Sequence, residues 1–405
     1  MPELTQIEDA RRLVLSRVSA GQAEDVPLSE ARGRTLAEDV RSEERVPGFD
    51  NSAMDGYAVQ SADLAGASAP SPVELPIVDE SRAGIPASRG PASGESVAIS
   101  TGAMVPEGAD AVVRIEDTER SGDRVSIAVE AEPGDNLRRA GDDIELGDVV
   151  LRAGSRVEAA ELGIAASVGR PALSCARRPR VSVLATGDEL RRPDEELPPG
   201  GVRNSNAFTL AALVADAGGE VIATDVIRDE RGTTRDQLAE PLRGEITVIC
   251  GGVSVGPHDH VRPALAELGV EQVFWGVALR PGKPTFFGVA PTGGLVFGLP
   301  GNPVSAMVTF TLFVRPAIRA MLGSPDPSRR TSAILDAGAS GQPARTHAVR
   351  CGLRLADDGW HATPTGDQSS HVLSSMLGAD ALAILAPGAG TLAAGERVEL
   401  ELLPR

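Results

Sequence analysis

The spacing of hydrophobic and polar positions changes three times along the chain, and each change marks a different kind of element. Near the amino terminus Ile7, Ala10, Val14 and Val18 recur at helical spacing behind Thr5-Gln6-Ile7-Glu8, which has the form of a capping box, and Gly21 closes the run. A second helix is predicted from about Ser29 to Val40. After Pro47-Gly48 the chain becomes rich in Gly, Pro and Ser, with short alternating stretches such as Val112-Val113-Arg114-Ile115 and Val125 to Val129, up to about Arg139. That texture predicts a small β-rich domain. Residues from about 140 to 173 turn again, with Val149-Val150-Leu151 and a helix over Glu158 to Val168, and are expected to pack back on the first helices. From Pro179 strand, loop and helix alternate: Val181 to Ala185, then Ala207 to Ala217 ended by Gly218-Gly219, then Glu220 to Val226, Thr247 to Cys250 and a helix from His260 to Leu268. Such alternation implies a mostly parallel sheet with ligands outside the carboxyl ends of its strands. Asn302 and Pro303 open a long helix through Val304, Val308, Leu312 and Ile318 to Gly323. A linker at Pro325 to Pro327 precedes a β-rich remainder with Val349 to Leu355, Ala383 to Leu385 and Val398 to Leu402.

These shifts predict an α/β multidomain protein. Its parts are a discontinuous amino-terminal helical and extended domain (residues 1–46 and 140–177), a small β-rich domain (47–139), an α/β domain (178–325) and a carboxyl-terminal β domain (326–405). At 405 residues the chain is long enough for two to four cores, at about 100 to 200 residues each. Fifty-seven acidic against 39 basic residues, a net charge of -18, argue against a nucleic-acid or anionic-membrane binder. An anionic ligand must therefore be held by a local cluster of cations. No signal-like start is present at Met1-Pro2-Glu3-Leu4, and no apolar run approaches the roughly 18 residues of a membrane span, so the chain reads as soluble and cytoplasmic. Cys175, Cys250 and Cys351 are too few and too far apart for a disulfide framework or a zinc site.

Lys283 is the only lysine; the other 38 basic residues are arginine. It lies in Leu279-Arg280-Pro281-Gly282-Lys283-Pro284, where two readings stand: a drift toward arginine codons that left one lysine by chance, or a small oxyanion pocket that takes a compact ammonium and not a planar fork. The predicted strand ends collect further unusual residues: Thr186-Gly187-Asp188-Glu189, Arg228-Asp229-Glu230, Gly251-Gly252 with Asp259, and Leu299-Pro300-Gly301-Asn302-Pro303. Gly-rich turns and a helix amino terminus cradle phosphate, and carboxylates from separate loops hold a hard divalent ion that bridges phosphate oxygens. His258-Asp259-His260 reads as no metal cluster, since alternate residues in a loop rarely suffice. The earlier run Asp50 to Ala58 contains the only tyrosine and presents Asp55 from a turn.

Six motifs follow in order: Pro47 to Ala58, Thr101-Gly102-Ala103 with Pro106-Glu107-Gly108, Thr186 to Leu190, Gly251-Gly252-Val253-Ser254-Val255-Gly256, Pro281 to Pro284 and Leu299 to Ser305. Together they resemble the molybdopterin molybdenumtransferases, the bacterial MoeA proteins and the related E domain of gephyrin. The resemblance implies four domains, one of them like the MoaB and MogA proteins, and insertion of molybdenum from molybdate into adenylylated molybdopterin with release of AMP. It implies Mg2+ as cofactor, a homodimer whose cleft joins the α/β domain of one copy to the small domain of the other, and contact with other molybdenum cofactor biosynthesis proteins. Asp55, Thr101 and Asp143 match catalytic positions of the amino-terminal domains; Glu189, Asp229 and Asp259 match carboxylates beside nucleotide and magnesium. Gly187, Gly251, Gly252, Ser254, Pro300, Gly301, Asn302 and Pro303 match the substrate-binding loops, and Arg280, Lys283, Pro284, Ser305, Arg345 and Ser370 match the molybdate pocket, with Lys283 also among the catalytic positions. Three departures stand out: Arg280 where many relatives carry lysine, Cys250 where serine is common, and Gly366-Asp367-Gln368-Ser369-Ser370 in place of a more usual Gly-His-Gln-Gly-Ser. Alternative readings are a dimeric scaffold of the gephyrin E-domain type and a molybdopterin adenylyltransferase; tungstate is an alternative oxyanion.

Overall fold

In the computed structural model, which describes residues 4–228, 230–254, 259–324 and 329–403, the strands Arg180–Thr186 and Ile246–Cys250 are buried at nearly every position. Strands apolar on both faces need helices on both sides. The sheet runs in the order Glu220–Ile227, Arg180–Thr186, Ile246–Cys250, Leu295–Leu299, Phe286–Val289, Glu271–Trp275. Its first three pairings are parallel and its last two antiparallel. The alternation of elements therefore points to the parallel part, while the antiparallel edge escapes it. Ser205–Ala217 is capped by the Asn204 side chain, which accepts from the Ala207 N–H at 3.1 Å, and ends at Gly218. Parallel order brings Thr186, Ile227, Cys250 and Leu299 to one edge.

The helix predicted from Ser29 to Val40 is absent. Only a short turn forms at Leu28–Glu30, and Thr35 and Leu36 bridge to Arg156 and Cys175. Gly33 lies in the left-handed region at φ 76°, which a helix does not allow; extended pairing wins over propensity there. Ala23–Pro27 pairs with Ala172–Ala176 and Val40–Arg41 with Val149–Leu151. The capping box expected at Thr5 is also absent: the helix spans Ile7–Leu15, Gln6 makes no side-chain cap, and Thr5 bridges to Val277. A capping box does form at Glu158 and Glu161, before Ala159–Ser167. The small sheet orders Ala111–Arg114, Gly56–Val59, Ser96–Ile99, Val73–Ser81, Arg124–Ile127 and Thr118–Ser121. The carboxyl-terminal strands Thr346–Ala356, Gly359–Pro364, Arg330–Leu335, Arg397–Leu402 and Ala381–Leu385 close on themselves, because the last also pairs with the first. Closure removes free sheet edges.

The largest core joins Ile7, Ala10 and Val14 to the α/β sheet, to the helix residues Val304 to Ile318 and to Ala348 and Leu382 of the barrel. That long helix, Pro303–Met321, has the length and apolarity of a membrane span, yet most of it is buried inside the protein. It widens to a π-helical segment over Phe310–Val314. Pro316 lacks the N–H that the Leu312 carbonyl would accept in an α-helix, and Arg11 Nε donates to that carbonyl instead, at 3.1 Å.

At the barrel surface His361 lies between two carboxylates, with Nδ1 2.7 Å from Asp336 and Nε2 2.8 Å from Asp358. Both ring nitrogens face acceptors, so the imidazolium is favoured: the hydrogen bonds to Asp358 and Asp336 raise the His361 pKa, and His361 lowers both carboxyls. The raised histidine contributes stability that is complete below its ordinary 6.5 and is lost as pH rises through the folded value; the lowered carboxyls lose theirs only in acid. His361→Gln is therefore expected to flatten the alkaline side of the pH–stability curve. Unchanged slopes of denaturation midpoint against pH in the two proteins would refute this.

Candidate functional site

Three loops leave the carboxyl ends of adjacent parallel strands and meet. Cys250 is paired with Ala185 on one side and with Leu299 on the other, and the Gly251 N–H donates to the Leu299 carbonyl at 3.0 Å. Gly251 and Gly252 have φ of 96° and 62°, and a Cβ on either would stand 2.7 or 2.9 Å from Thr186 Oγ1. Only glycine fits so close a turn, and it leaves backbone N–H groups open to a ligand. Thr186 Oγ1 is buried and has no hydrogen-bond partner, so a polar ligand atom at the turn would satisfy it. Glu189 is exposed and its carboxylate lies over Gly187. Asp259 is partly buried; Asp229, Val255, Gly256 and His258 lie outside the described residues. Ser254 is exposed. A cavity of about 1130 Å³ opens beside Gly187 and Asp188, lined also by Arg191, Phe208, Thr224 and Arg228. Its walls mix apolar groups with charges of both signs, the arginines facing Asp188, Glu195, Glu196 and Asp225, and give room for an organic ligand.

Cys250 is structural in this setting. It accepts from Asn206 Nδ2 at 3.1 Å and donates to the Pro300 carbonyl at 3.2 Å, and burial pushes its thiol up to about 12. Asn206 also donates to the Gly301 carbonyl at 2.7 Å. One side chain thus holds two of the loops together.

The second half of the site is made where the α/β domain meets the barrel. Leu279–Arg280 adds to the barrel sheet, with Arg280 opposite His347, and the Thr346 N–H donates to the Ala278 carbonyl at 2.8 Å. Arg345 directly precedes these paired residues. The Lys283 carbonyl accepts from the Val277 and Thr285 N–H groups, each at 2.9 Å, and Gly282 packs so tightly that a Cβ would stand 2.5 Å from Thr309 Cγ2. The loop therefore lies against the helix that carries buried Ser305. Asn302 does not cap that helix through its side chain; it donates instead to Ser370 Oγ at 3.0 Å, and the Val304 N–H donates to the Ser370 carbonyl at 3.2 Å. Ser370 thus meets the amino terminus of the helix that carries Ser305, the Lys283 loop packs on the same helix at Thr309, and Arg280 and Arg345 lie at the strand pairing beside them.

Arg350 escaped the sequence reading. It is fully buried and donates to the carbonyls of Asp367, Gln368 and Ser369 and to Ser375 Oγ, at 2.9 to 3.3 Å. An arginine inside an apolar strand run was the available signal. Its guanidinium orders the loop that delivers Ser370, and Asp367 turns back onto Ser369, whose hydroxyl and whose N–H, at 2.7 Å, hold its carboxyl below the usual range. Among the described residues none of Arg280, Lys283, Arg345 and Arg350 forms an ion pair, in a chain that carries 57 acidic residues.

Asp55 and Thr101 come together elsewhere, in the small domain: Asp55 Oδ1 accepts from the Thr101 N–H at 2.7 Å, and both residues are exposed. Asp143 is exposed and its N–H donates to the Val46 carbonyl at 3.0 Å. Phe49, Met54 and Met104, each more than two-fifths exposed, give this surface an apolar character.

For a divalent ion, the described residues contain no group of three His, Cys, Asp or Glu side chains placed to hold one. One or two carboxylates beside a phosphate cradle nevertheless fit magnesium, which is commonly held by few protein ligands together with substrate phosphates and water.

Comparison with known proteins covers almost the whole chain. Residues 5–169 match the MoeA N-terminal region (domain I and II), 182–320 a probable molybdopterin binding domain, and 332–403 the MoeA C-terminal region (domain IV). The chain is 36% identical to molybdopterin molybdenumtransferase 2 of Mycobacterium tuberculosis, over 98% of this chain and 99% of that protein. It is 34% identical to the molybdopterin molybdenumtransferase of Haemophilus influenzae, over 98% of each. The crystal structure of a molybdopterin biosynthesis moeA protein from Pyrococcus horikoshii superposes with a TM-score of 0.84 at 29% identity, covering 99% of this chain and all of that one.

Proposed function

The chain belongs to the family of molybdopterin molybdenumtransferases, and from that premise we propose which parts of it hold each substrate. Membership makes it a transferase of molybdenum cofactor biosynthesis that acts on molybdopterin and molybdate. Adenylylated molybdopterin lies along the carboxyl edge of the α/β sheet, its phosphates over Gly187, Gly251, Gly252 and Gly301 and its organic part toward the cavity lined by Arg191 and Phe208. Molybdate, a tetrahedral dianion, sits among Arg280, Lys283, Ser305, Arg345 and Ser370, at the amino terminus of the Pro303–Thr309 helix. The observation that carries this reading is that Arg280, Lys283 and Arg345, on or beside the pairing that joins the α/β domain to the barrel, have no ion-pair partner among the described residues. Cations without carboxylate partners favour an anion, the more so in a chain of net charge -18.

Glu189 and Asp259, with Asp229, would hold Mg2+ against the phosphates, where the ion supplies charge neutralisation of the phosphoanhydride. The chain's own part is to fix the anhydride over the glycine turns and the oxyanion beside it, so that the bond to AMP breaks where molybdenum is at hand. The exposed apolar residues around Asp55 favour a homodimer in which Asp55 and Thr101 of one copy face the α/β edge of the other. We place the protein in the cytoplasm, where such cofactor assembly runs.

The test incubates pure protein with adenylylated molybdopterin, magnesium and molybdate, and measures AMP and metal-loaded cofactor. Molybdate-dependent AMP release is expected, and its absence would refute the assignment. Mixing inactive Asp55→Asn and Lys283→Ala subunits is expected to restore part of the activity, because a mixed dimer keeps one intact cleft. No recovery after verified subunit exchange would remove the shared cleft and leave the substrate assignment standing.

A further inference from the structure

We propose that His347 takes up a proton at Nε2 when an oxyanion occupies the pocket of Arg280, Lys283 and Arg345, and so couples anion binding to protonation; this rests on the pocket assigned above. The geometry leaves little choice of tautomer. His347 is 5% exposed, and its Nδ1 lies 2.7 Å from the Ser340 carbonyl, which only accepts, so Nδ1 carries a hydrogen. Nε2 is then an acceptor in the neutral ring, and it is buried with no partner. A buried nitrogen lone pair without a donor is costly, and protonation without an acceptor is no better.

The surroundings explain why the ring stays neutral without the anion. Arg280 faces it from the paired strand, Arg345 directly precedes its own strand and Arg350 follows on it; Leu385, its partner on Ala381–Leu385, is uncharged. Burial lowers the His347 pKa first, and Arg280, Arg350 and Arg345 lower it further against the pull of the Ser340 carbonyl. A dianion among those arginines offsets their field. The repulsive contribution at Nε2 shrinks, and the protonated ring becomes one more positive group beside the anion. Linkage fixes the sign: if anion binding raises the affinity of His347 for a proton, protonation raises the affinity for the anion by the same factor. Molybdate affinity therefore increases as pH falls through the window between the free and bound His347 values.

Among the described histidines, His361 is already paired with two carboxylates, His371 follows Ser370 but is exposed, and His347 is the buried one that pairs with Arg280. It acts through the arginines and is a positioning residue rather than a catalytic one.

The test uses the full chain and molybdate alone, titrated by calorimetry in buffers of different ionisation enthalpy across pH 5.5 to 8. Wild type is expected to take up protons, approaching about one per bound anion inside the window. His347→Gln is expected to keep binding at the alkaline end and lose the uptake. Carbon-13 spectra of histidine-labelled wild type, with and without molybdate, read the same event without any variant: one imidazole that titrates low in the free protein should move upward. Binding with no buffer-dependent enthalpy in wild type, or undiminished uptake in the variant, overturns the proposal. If Arg280→Ala leaves molybdate binding unchanged, the pocket itself is misplaced, an outcome separate from loss of proton coupling.

Discussion

Replacing Lys283 by alanine is expected to lower molybdate-dependent turnover by about 10² to 10³-fold while leaving nucleotide affinity within a few-fold, which is the scale for losing one preorganised donor to a charged group. The split follows from the loop. The bonds that fix its backbone are accepted by the Lys283 carbonyl, from Val277 and Thr285, and they survive side-chain removal. Gly282 sets the approach to Thr309, and that contact also survives. What is lost is the ammonium, which has no ion-pair partner among the described residues. Lys283→Arg keeps the charge but presents a wider planar fork, so it should recover only part of the activity. Kinetics in molybdate and equilibrium binding of the adenylylated substrate separate the cases. Equal loss of both would assign Lys283 to the nucleotide or to loop structure. A full recovery by arginine would show that shape plays no part.

How much of this was legible beforehand depends on range. Periodicity located the strands at Val181 and Thr247 and the helix before Gly218, because each depends on its own apolar positions. It failed at Ser29 to Val40, where Gly33 and pairing with distant Arg156 and Cys175 decide the conformation. The glycine turns and Lys283 were visible as motifs. Arg345 and Ser370 came only through family resemblance, since their place depends on a two-residue pairing between Leu279–Arg280 and the barrel. Nothing local marks such a contact. Arg350, Asn206 and His347 were passed over for a related reason: each is a polar residue in or beside an apolar run, where burial is easy to read and a partner is not.

Glu401→Ala is expected to destabilise the protein by about 3 to 5 kcal/mol, the range for removing one member of a buried ion network. Glu401 is fully buried in the last barrel strand, and its carboxylate is shared by Arg11 of the first helix and Arg315 of the long helix. The Arg329 N–H adds a third donor at 3.2 Å, and Arg315 also reaches the Leu402 carbonyl at 2.7 Å. Burial first, and the neighbouring Arg329 and Arg319, lower the Arg315 pKa against the pull of Glu401. Removing the carboxylate would strand two guanidinium groups in the core, and that uncompensated burial is the source of the expected loss. Glu401→Gln retains the volume and one acceptor and should fall between wild type and alanine. The effect reaches the site, because the same barrel supplies Arg345 and Ser370 while the same long helix supplies Ser305. A loosened tie separates the two halves of the molybdate pocket before it unfolds either one. Below the unfolding transition the alanine variant should therefore show a raised KM for molybdate with nucleotide binding kept. A loss of less than about 1 kcal/mol by denaturant titration, the scale of a surface pair, would show that the barrel is held by its apolar contacts alone.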